Sequence, residues 1–284
     1  MMLWILACTN ASKEVDSGHN DNETTIDECS LEEEHLRVGL KNCGDYVCRI
    51  EEGYFQMGSH LAEDSCPVRD VWLSSFRIDK NEVTVGTWEA CVEAGFCEAL
   101  PNNCMNPLYD IIDYKKHPVR CVSWHDAESF CQHYGGRLPT EAQWEKAARG
   151  RKGSIYPWGN TAPDCSHANF RLASLYCFHG GTAPVGSYSS YSSVYGVNDL
   201  AGNVFEWVSD FYDVQYYAQQ ENTDPEGPKE FCLHAPNEDR EECKAKVMRG
   251  GAYNSTEHVI RSFSRSFASP ETKDINIGFR CVYD

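Results

Sequence analysis

Fifteen cysteines spread from Cys8 to Cys281 constrain this 284-residue chain more than any other feature. So many thiols are a liability in a reducing compartment, so the chain is expected in an oxidising one, cross-linked by disulfides. Spacings such as Cys91-x5-Cys97-x6-Cys104 lack the close pairs with which thiolates hold structural zinc. Neighbouring positions suggest bridges Cys91–Cys97, Cys104–Cys121, Cys165–Cys177 and Cys232–Cys243, although spacing alone leaves the connectivity open. With Cys8 set apart, fourteen cysteines remain, an even number suited to seven bridges.

Cys8 is set apart by its neighbours. Ile5-Leu6-Ala7-Cys8 looks like the end of a lipoprotein signal, whose cysteine is lipidated after cleavage. Residues 1–8 lack a basic leading region and a full-length apolar stretch, so the true start is expected upstream of Met1. Residues 9–42, rich in Ser, Asn, Asp, Glu and Thr and including Glu32-Glu33-Glu34, read as an acidic flexible tether. A stretch with Cys43 and Cys48 leads into a domain spanning residues 53–284. The whole chain's hydrophobic fraction of 41% is enough to fill a core, and its net charge of −18 argues against nucleic acid as a partner. No later segment offers the roughly 20 apolar residues of a spanning helix, so membrane contact is expected through the lipid anchor only, in the cell envelope.

Three helices are legible. Thr84 caps the first, which carries Trp88, Cys91 and Val92 on one face and stops at Gly95. Ser123 and Asp126 form a capping box for the second, with Trp124, Ala127, Cys131 and Tyr134 on one face and Gly135-Gly136 at its end. Thr140 and Gln143 box the third, Trp144 anchors it in the core, and Gly150 closes it. Beyond Gly150, Gly, Pro, Ser, Tyr and Asn dominate and ordered loops are expected. Within them, Asp199-Leu200-Ala201-Gly202-Asn203-Val204-Phe205-Glu206-Trp207 brackets small residues between two carboxylates. Hard oxygens on a tight, glycine-bearing turn suit calcium, which takes six to eight such ligands.

A series of short motifs runs through the chain in order. It comprises Met57-Gly58, Phe76-Arg77-Ile78-Asp79-Lys80-Asn81-Glu82-Val83-Thr84, Pro118-Val119-Arg120-Cys121-Val122-Ser123-Trp124 and Arg137-Leu138-Pro139-Thr140-Glu141. Tyr156-Pro157-Trp158-Gly159-Asn160, the Asp199 stretch, Arg249-Gly250-Gly251 and Ile277-Gly278-Phe279-Arg280-Cys281 complete it. Together they resemble the formylglycine-generating enzyme family, also called sulfatase-modifying factors, over roughly Gly53 to Asp284. The resemblance implies an α+β, C-type-lectin-like fold with little regular secondary structure, stabilised by calcium and disulfides. It implies a Cys131–Cys281 disulfide, and a second family bridge whose ends here are Ala148 and, approximately, Arg265, both without thiols.

For metals, the resemblance implies one calcium held by the Asp199 and Glu206 side chains and the Gly202 and Val204 carbonyls. A second family site would use Asn169 and the Phe170 carbonyl with an aspartate, but that aspartate falls at Cys177. In the enzymes two cysteines after Arg-Gly-Gly bind copper and oxidise a sulfatase cysteine with O₂. Those positions fall here on Ser255 and Ile260, and no cysteine lies between Cys243 and Cys281. A hard hydroxyl and an alkyl group do not replace soft thiolates, so copper is not expected. The expected function is therefore a lipid-anchored, calcium-stabilised binding or scaffold protein. Its ligand, an exported protein or peptide, would lie in a groove at Tyr253, Asn254, Ser255, Arg261 and Arg265. The competing reading is an oxidase that converts a sulfatase cysteine to formylglycine.

Overall fold

A computed structural model describes residues 43–101, 104, 114–218, 222–228 and 244–284. The expected tether, Cys8 and the Cys232–Cys243 pair lie outside the described residues.

Short strands alternate with long ordered loops. The first strands are β1 (Val47–Ile50), β2 (Gly53–Met57), β3 (Arg69–Leu73) and β4 (Phe76–Asp79). In β2 the residues alternate between core and solvent, with Phe55 and Met57 inward and Tyr54 and Gln56 outward, the period-two pattern of a half-buried strand. It pairs with β3 as an antiparallel hairpin. β1 pairs with β4 from Val47↔Asp79 to Ile50↔Phe76, and Cys43–Cys48 closes the turn before it. The folded domain therefore reaches back beyond Gly53, to Cys43 at least.

Helix α1 (Val85–Glu93) starts where the Thr84 hydroxyl accepts the Thr87 N–H. Helix α2 (Trp124–His133) has the full Ser123–Asp126 capping box. Its inner face is Ala127, Phe130 and Cys131, not the expected face that ran on to Tyr134. The helix ends at His133, which leaves Tyr134 43% exposed, while Phe130 packs on Trp88 and Phe279. Helix α3 (Glu141–Arg149) has the Thr140–Gln143 box, and all nine of its residues are buried.

Two small strands, β5 (Arg171–Leu172) and β6 (Leu175–Tyr176), form a surface hairpin. The principal sheet runs β10-β7-β8-β9, built from β7 (Phe205–Phe211), β8 (Lys246–Arg249), β9 (Ser266–Ala268) and β10 (Ile277–Gly278). The last strand, β11 (Val282–Tyr283), joins β1 and β4 in a three-stranded sheet ordered β1-β4-β11. The core divides into one cluster around α3, β2 and β3, one around α1 and α2, and a small one around Tyr156, Phe170 and Ile260.

The disulfides follow the expected pairs. Cys91–Cys97, Cys104–Cys121, Cys131–Cys281 and Cys165–Cys177 are all formed, and Cys66 is disulfide-bonded as well. Cys131–Cys281 bridges a separation of 150 residues, from α2 to the residue before β11. No helix of the described residues is long and apolar enough to cross a membrane.

Candidate functional site

The loop entering β7 is tightly wound. Asp199, Gly202 and Asn203 all have positive φ, at 59°, 80° and 64°. Gly202 is required there, since a Cβ would collide with the Asn169 carbonyl. Asn203 is the hub of the turn. Its amide oxygen accepts the Ala183 N–H and the Asn169 side chain, and its Nδ2 donates to Glu82 Oε2 at 2.8 Å.

Glu206, the second residue of β7, is fully buried with both oxygens engaged. Arg280 donates to Oε1 and Oε2 at 2.7 Å each, and Trp144 Nε1 donates to Oε2 at 2.7 Å. Arg280 also donates to the Asn198, Asp79 and Lys80 carbonyls, so the guanidinium ties together the loop, β4 and β7. Asp199 accepts the Gly186 N–H at 2.6 Å, and burial raises its carboxyl to about 6. Burial, reinforced by the charges of Asp199 and Glu206, pushes Glu82 well above the usual carboxylate range. Glu82 Oε1 is buried without a partner.

Two buried carboxylates, Glu82 and Glu206, and the half-buried Asp199 therefore share one guanidinium. Excess buried negative charge with an orphaned oxygen is unfavourable unless it is protonated or met by a cation. Among the described residues no three His, Cys, Asp or Glu side chains cage an ion by themselves, so carbonyls would have to complete any shell. With that completion the donors, all hard oxygens, fit calcium. Glu82 is the residue that sequence reasoning missed. It stood inside a quoted motif, but a single glutamate between a strand and a helix gives no sign of burial.

Asn169 Oδ1 is also buried without a partner, beside Asn203. The Phe170 carbonyl, however, accepts the Cys177 N–H, and Cys177 is held in its disulfide. The second expected cation position thus has one free oxygen and no carboxylate.

The Asn203 carbonyl accepts the N–H of Tyr253, which joins this loop to the Arg249-Gly250-Gly251 turn. Positive φ at Gly251 lets the Ile260 backbone approach closely, where a Cβ would strike Ile260. Ile260 is completely buried among Tyr156, Ala168, Phe170 and Ala201. Ser255 is half-buried. Its hydroxyl accepts the Ala252 N–H at 2.9 Å, and its carbonyl accepts the Arg171 N–H at 2.9 Å. All described cysteines are in disulfides, so no thiolate is available among them to seat copper.

Of the expected groove residues, Tyr253 is buried, Asn254 and Arg261 are half-buried, and Arg261 Nη2 meets His258 Nδ1 at 2.6 Å. Arg265 is not a groove residue. Its guanidinium has no exposed surface, forms a two-pronged pair with Glu141 at 2.7 and 2.9 Å, and donates to the Asp64 and Asp213 carbonyls. It belongs to a sealed network in which Arg249 pairs with Glu141 and Glu145, and Arg149 with Glu145. Burial opposes the charge of Glu145, yet Arg249 and Arg149 hold it down at about 2.

Residues 39–284 match the model of the sulfatase-modifying factor enzyme 1-like domain. The chain belongs to the sulfatase-modifying factor family. It is similar to serine/threonine-protein kinase pkn1 of Chlamydia caviae, 33% identical over 271 residues covering 89% of this chain and 40% of that protein. It is also similar to the formylglycine-generating enzyme of Streptomyces coelicolor, at 37% identity over 62% of this chain and 55% of the enzyme. The inactive C-alpha-formylglycine-generating enzyme 2 of Bos taurus is 33% identical over 83% of this chain and 87% of its own length. The chain thus spans about two fifths of its kinase relative and about half of the bacterial enzyme. Among solved structures, PvdO from Pseudomonas aeruginosa superposes with a TM-score of 0.66 and 25% identity over 83% of this chain and 93% of that one. The fold is the C-type-lectin-like α+β architecture of this family.

Proposed function

We propose that this protein is an exported, lipid-anchored, calcium-stabilised binding or scaffold protein that uses the family fold without its oxidase chemistry. The observation that carries the proposal is the pair of side chains at the copper positions. Ile260 is packed into an apolar cluster, and the hydroxyl of Ser255 accepts a backbone hydrogen bond in its own turn. Neither forms a mixed disulfide with a substrate cysteine, so thiol exchange has no starting point. Similarity to a bovine relative whose name records inactivity supports the same reading over most of the chain.

Calcium would be held by Asp199 and Glu82, with the Gly202 and Val204 carbonyls and a share of Glu206. Bound there, the cation supplies charge neutralisation for the loop that positions Tyr253 and the Ser255 turn. The partner is an exported protein or peptide lying along that turn.

The test is conversion of a sulfatase-type Cys-x-Pro-x-Arg peptide, read by mass shift with excess copper and a thiol reductant. No formylglycine above background is expected. Turnover that persists when Cys131 and Cys281 are changed to serine would establish the oxidase reading instead.

A further inference from the structure

Among the bridges with both ends described, Cys165–Cys177 stands apart in its access to solvent. In each of the others at least one cysteine is buried: Cys48, Cys91, both ends of Cys104–Cys121 and both ends of Cys131–Cys281. Cys165 and Cys177 are both half-buried. Both also line one open surface cavity of about 560 Å³, together with Tyr176, His179 and Gly180, which leaves room for a thiol of a second molecule. Exchange requires a thiolate to reach a disulfide sulfur, and exposed bridges are the labile ones.

The loop that this bridge closes, residues 165–177, is held differently along its length. Ala168, Asn169 and Phe170 are buried, and the Asn169 carbonyl accepts the Asn203 N–H at 2.8 Å. Beyond them come β5 and β6, of two residues each, with Leu175 and Tyr176 exposed. A two-stranded hairpin is marginal in water by itself, so the covalent bond at Cys177 is its principal restraint. The hairpin also touches the Ser255 turn. The Arg171 N–H donates to the Ser255 carbonyl at 2.9 Å, and the Cys177 N–H to the Phe170 carbonyl at 3.0 Å. Leu172 and Cys177 pack against the cluster that contains Ile260.

We propose that Cys165–Cys177 is a redox switch, opened by a dithiol, whose opening releases the β5–β6 hairpin from the Ser255 turn. One thiolate of the dithiol attacks either sulfur, forming a mixed disulfide and expelling the other cysteine as a thiolate. The second thiol of the dithiol then displaces the remaining cysteine and closes the reductant's own disulfide. Two electrons and two protons pass from the dithiol to the bridge, and an oxidant of the same class reverses the step. The switch acts on the turn whatever the turn binds.

The test titrates the full chain with dithiothreitol under native conditions, alkylates the free thiols and maps them by mass spectrometry. Cys165 and Cys177 are expected to be labelled at about tenfold less reductant than any other described cysteine. Residue-resolved hydrogen exchange on that partly reduced chain should show the Arg171 and Cys177 amides exchanging about tenfold or more faster, with Asn203 and Trp144 unchanged. Earlier labelling of another described pair would overturn the choice of bridge. Labelling at Cys165 and Cys177 with unaltered exchange at Arg171 would overturn the switch. The double variant Cys165→Ser with Cys177→Ser should show the faster exchange without reductant, and slow exchange in it would overturn the switch as well. The titration of the unaltered chain requires no variant to fold.

Discussion

Single residues carry the electrostatics of the acidic loop. Glu206 illustrates the balance: Arg280 and Trp144 fix its carboxylate, while Asp199 and Glu82 add charge that Arg280 alone does not match. Glu206→Gln should therefore weaken calcium binding by calorimetry and cancel any calcium-induced rise in melting temperature. A wild-type melting temperature indifferent to calcium and chelator would reduce the loop to a turn. Asp210 gives a separate pH signature. Burial, then the nearby Glu141 charge, raises it to about 7. A carboxyl whose folded pKa exceeds its unfolded value adds stability below the unfolded pKa and loses it as pH rises through the folded one. The window here runs from about 4 to about 7, and the full loss is at most about 4 kcal/mol. Asp210→Asn should flatten the stability profile across that window in urea titrations at stepped pH, and an unchanged slope would assign the dependence elsewhere.

At the scale of elements, α3 is the unusual one. Nine buried residues that include Glu141, Glu145, Lys146 and Arg149 are tolerable only because each charge finds a partner. The family resemblance places a disulfide between Ala148 on this helix and the position of Arg265. Here the Arg265–Glu141 pair ties the same helix to the approach of β9 by charge instead of a covalent bond. Removing one partner of a buried pair costs about 3–5 kcal/mol. Arg265→Met should lose stability in that range by chemical denaturation, and a loss below about 1 kcal/mol would mean that Arg249 alone satisfies Glu141.

Helix boundaries were legible in the sequence because caps are local: Thr84, Ser123–Asp126 and Thr140–Gln143 act within three residues of themselves. Cys91–Cys97, Cys104–Cys121 and Cys165–Cys177 were legible from proximity, whereas Cys131–Cys281 followed only from the family resemblance and Cys43–Cys48 was not among the expected pairs. Arg265 was not, because its partners Glu141, Asp64 and Asp213 lie far off in sequence and a lone arginine gives no sign of burial. The burial of Glu82 was hidden in the same way, since it depends on residues 117 or more positions later.

For the molecule as a whole, Cys131–Cys281 closes the longest loop among the described disulfides, its ends separated by 150 positions. Chain entropy assigns such a closure about 4 kcal/mol or more. The double variant Cys131→Ser with Cys281→Ser should fall by that order in a guanidinium titration, and limited proteolysis should then free the segment around β11. A melting curve like that of the parent would show that the β11–β4 pairing holds the end without the bond.

That arrangement has a mechanical meaning. β1 and β11 both run antiparallel to β4, on opposite sides of it, and hence parallel to each other. Tension applied before Cys43 and after Asp284 pulls them in opposite directions along β4, loading their hydrogen bonds in shear, together and not one after another. The Cys131–Cys281 bond, one residue before β11, passes part of that load into α2. Arg280, next to that bond, holds the Asp79 and Asn198 carbonyls and Glu206, so part of the same load reaches the acidic loop and β7.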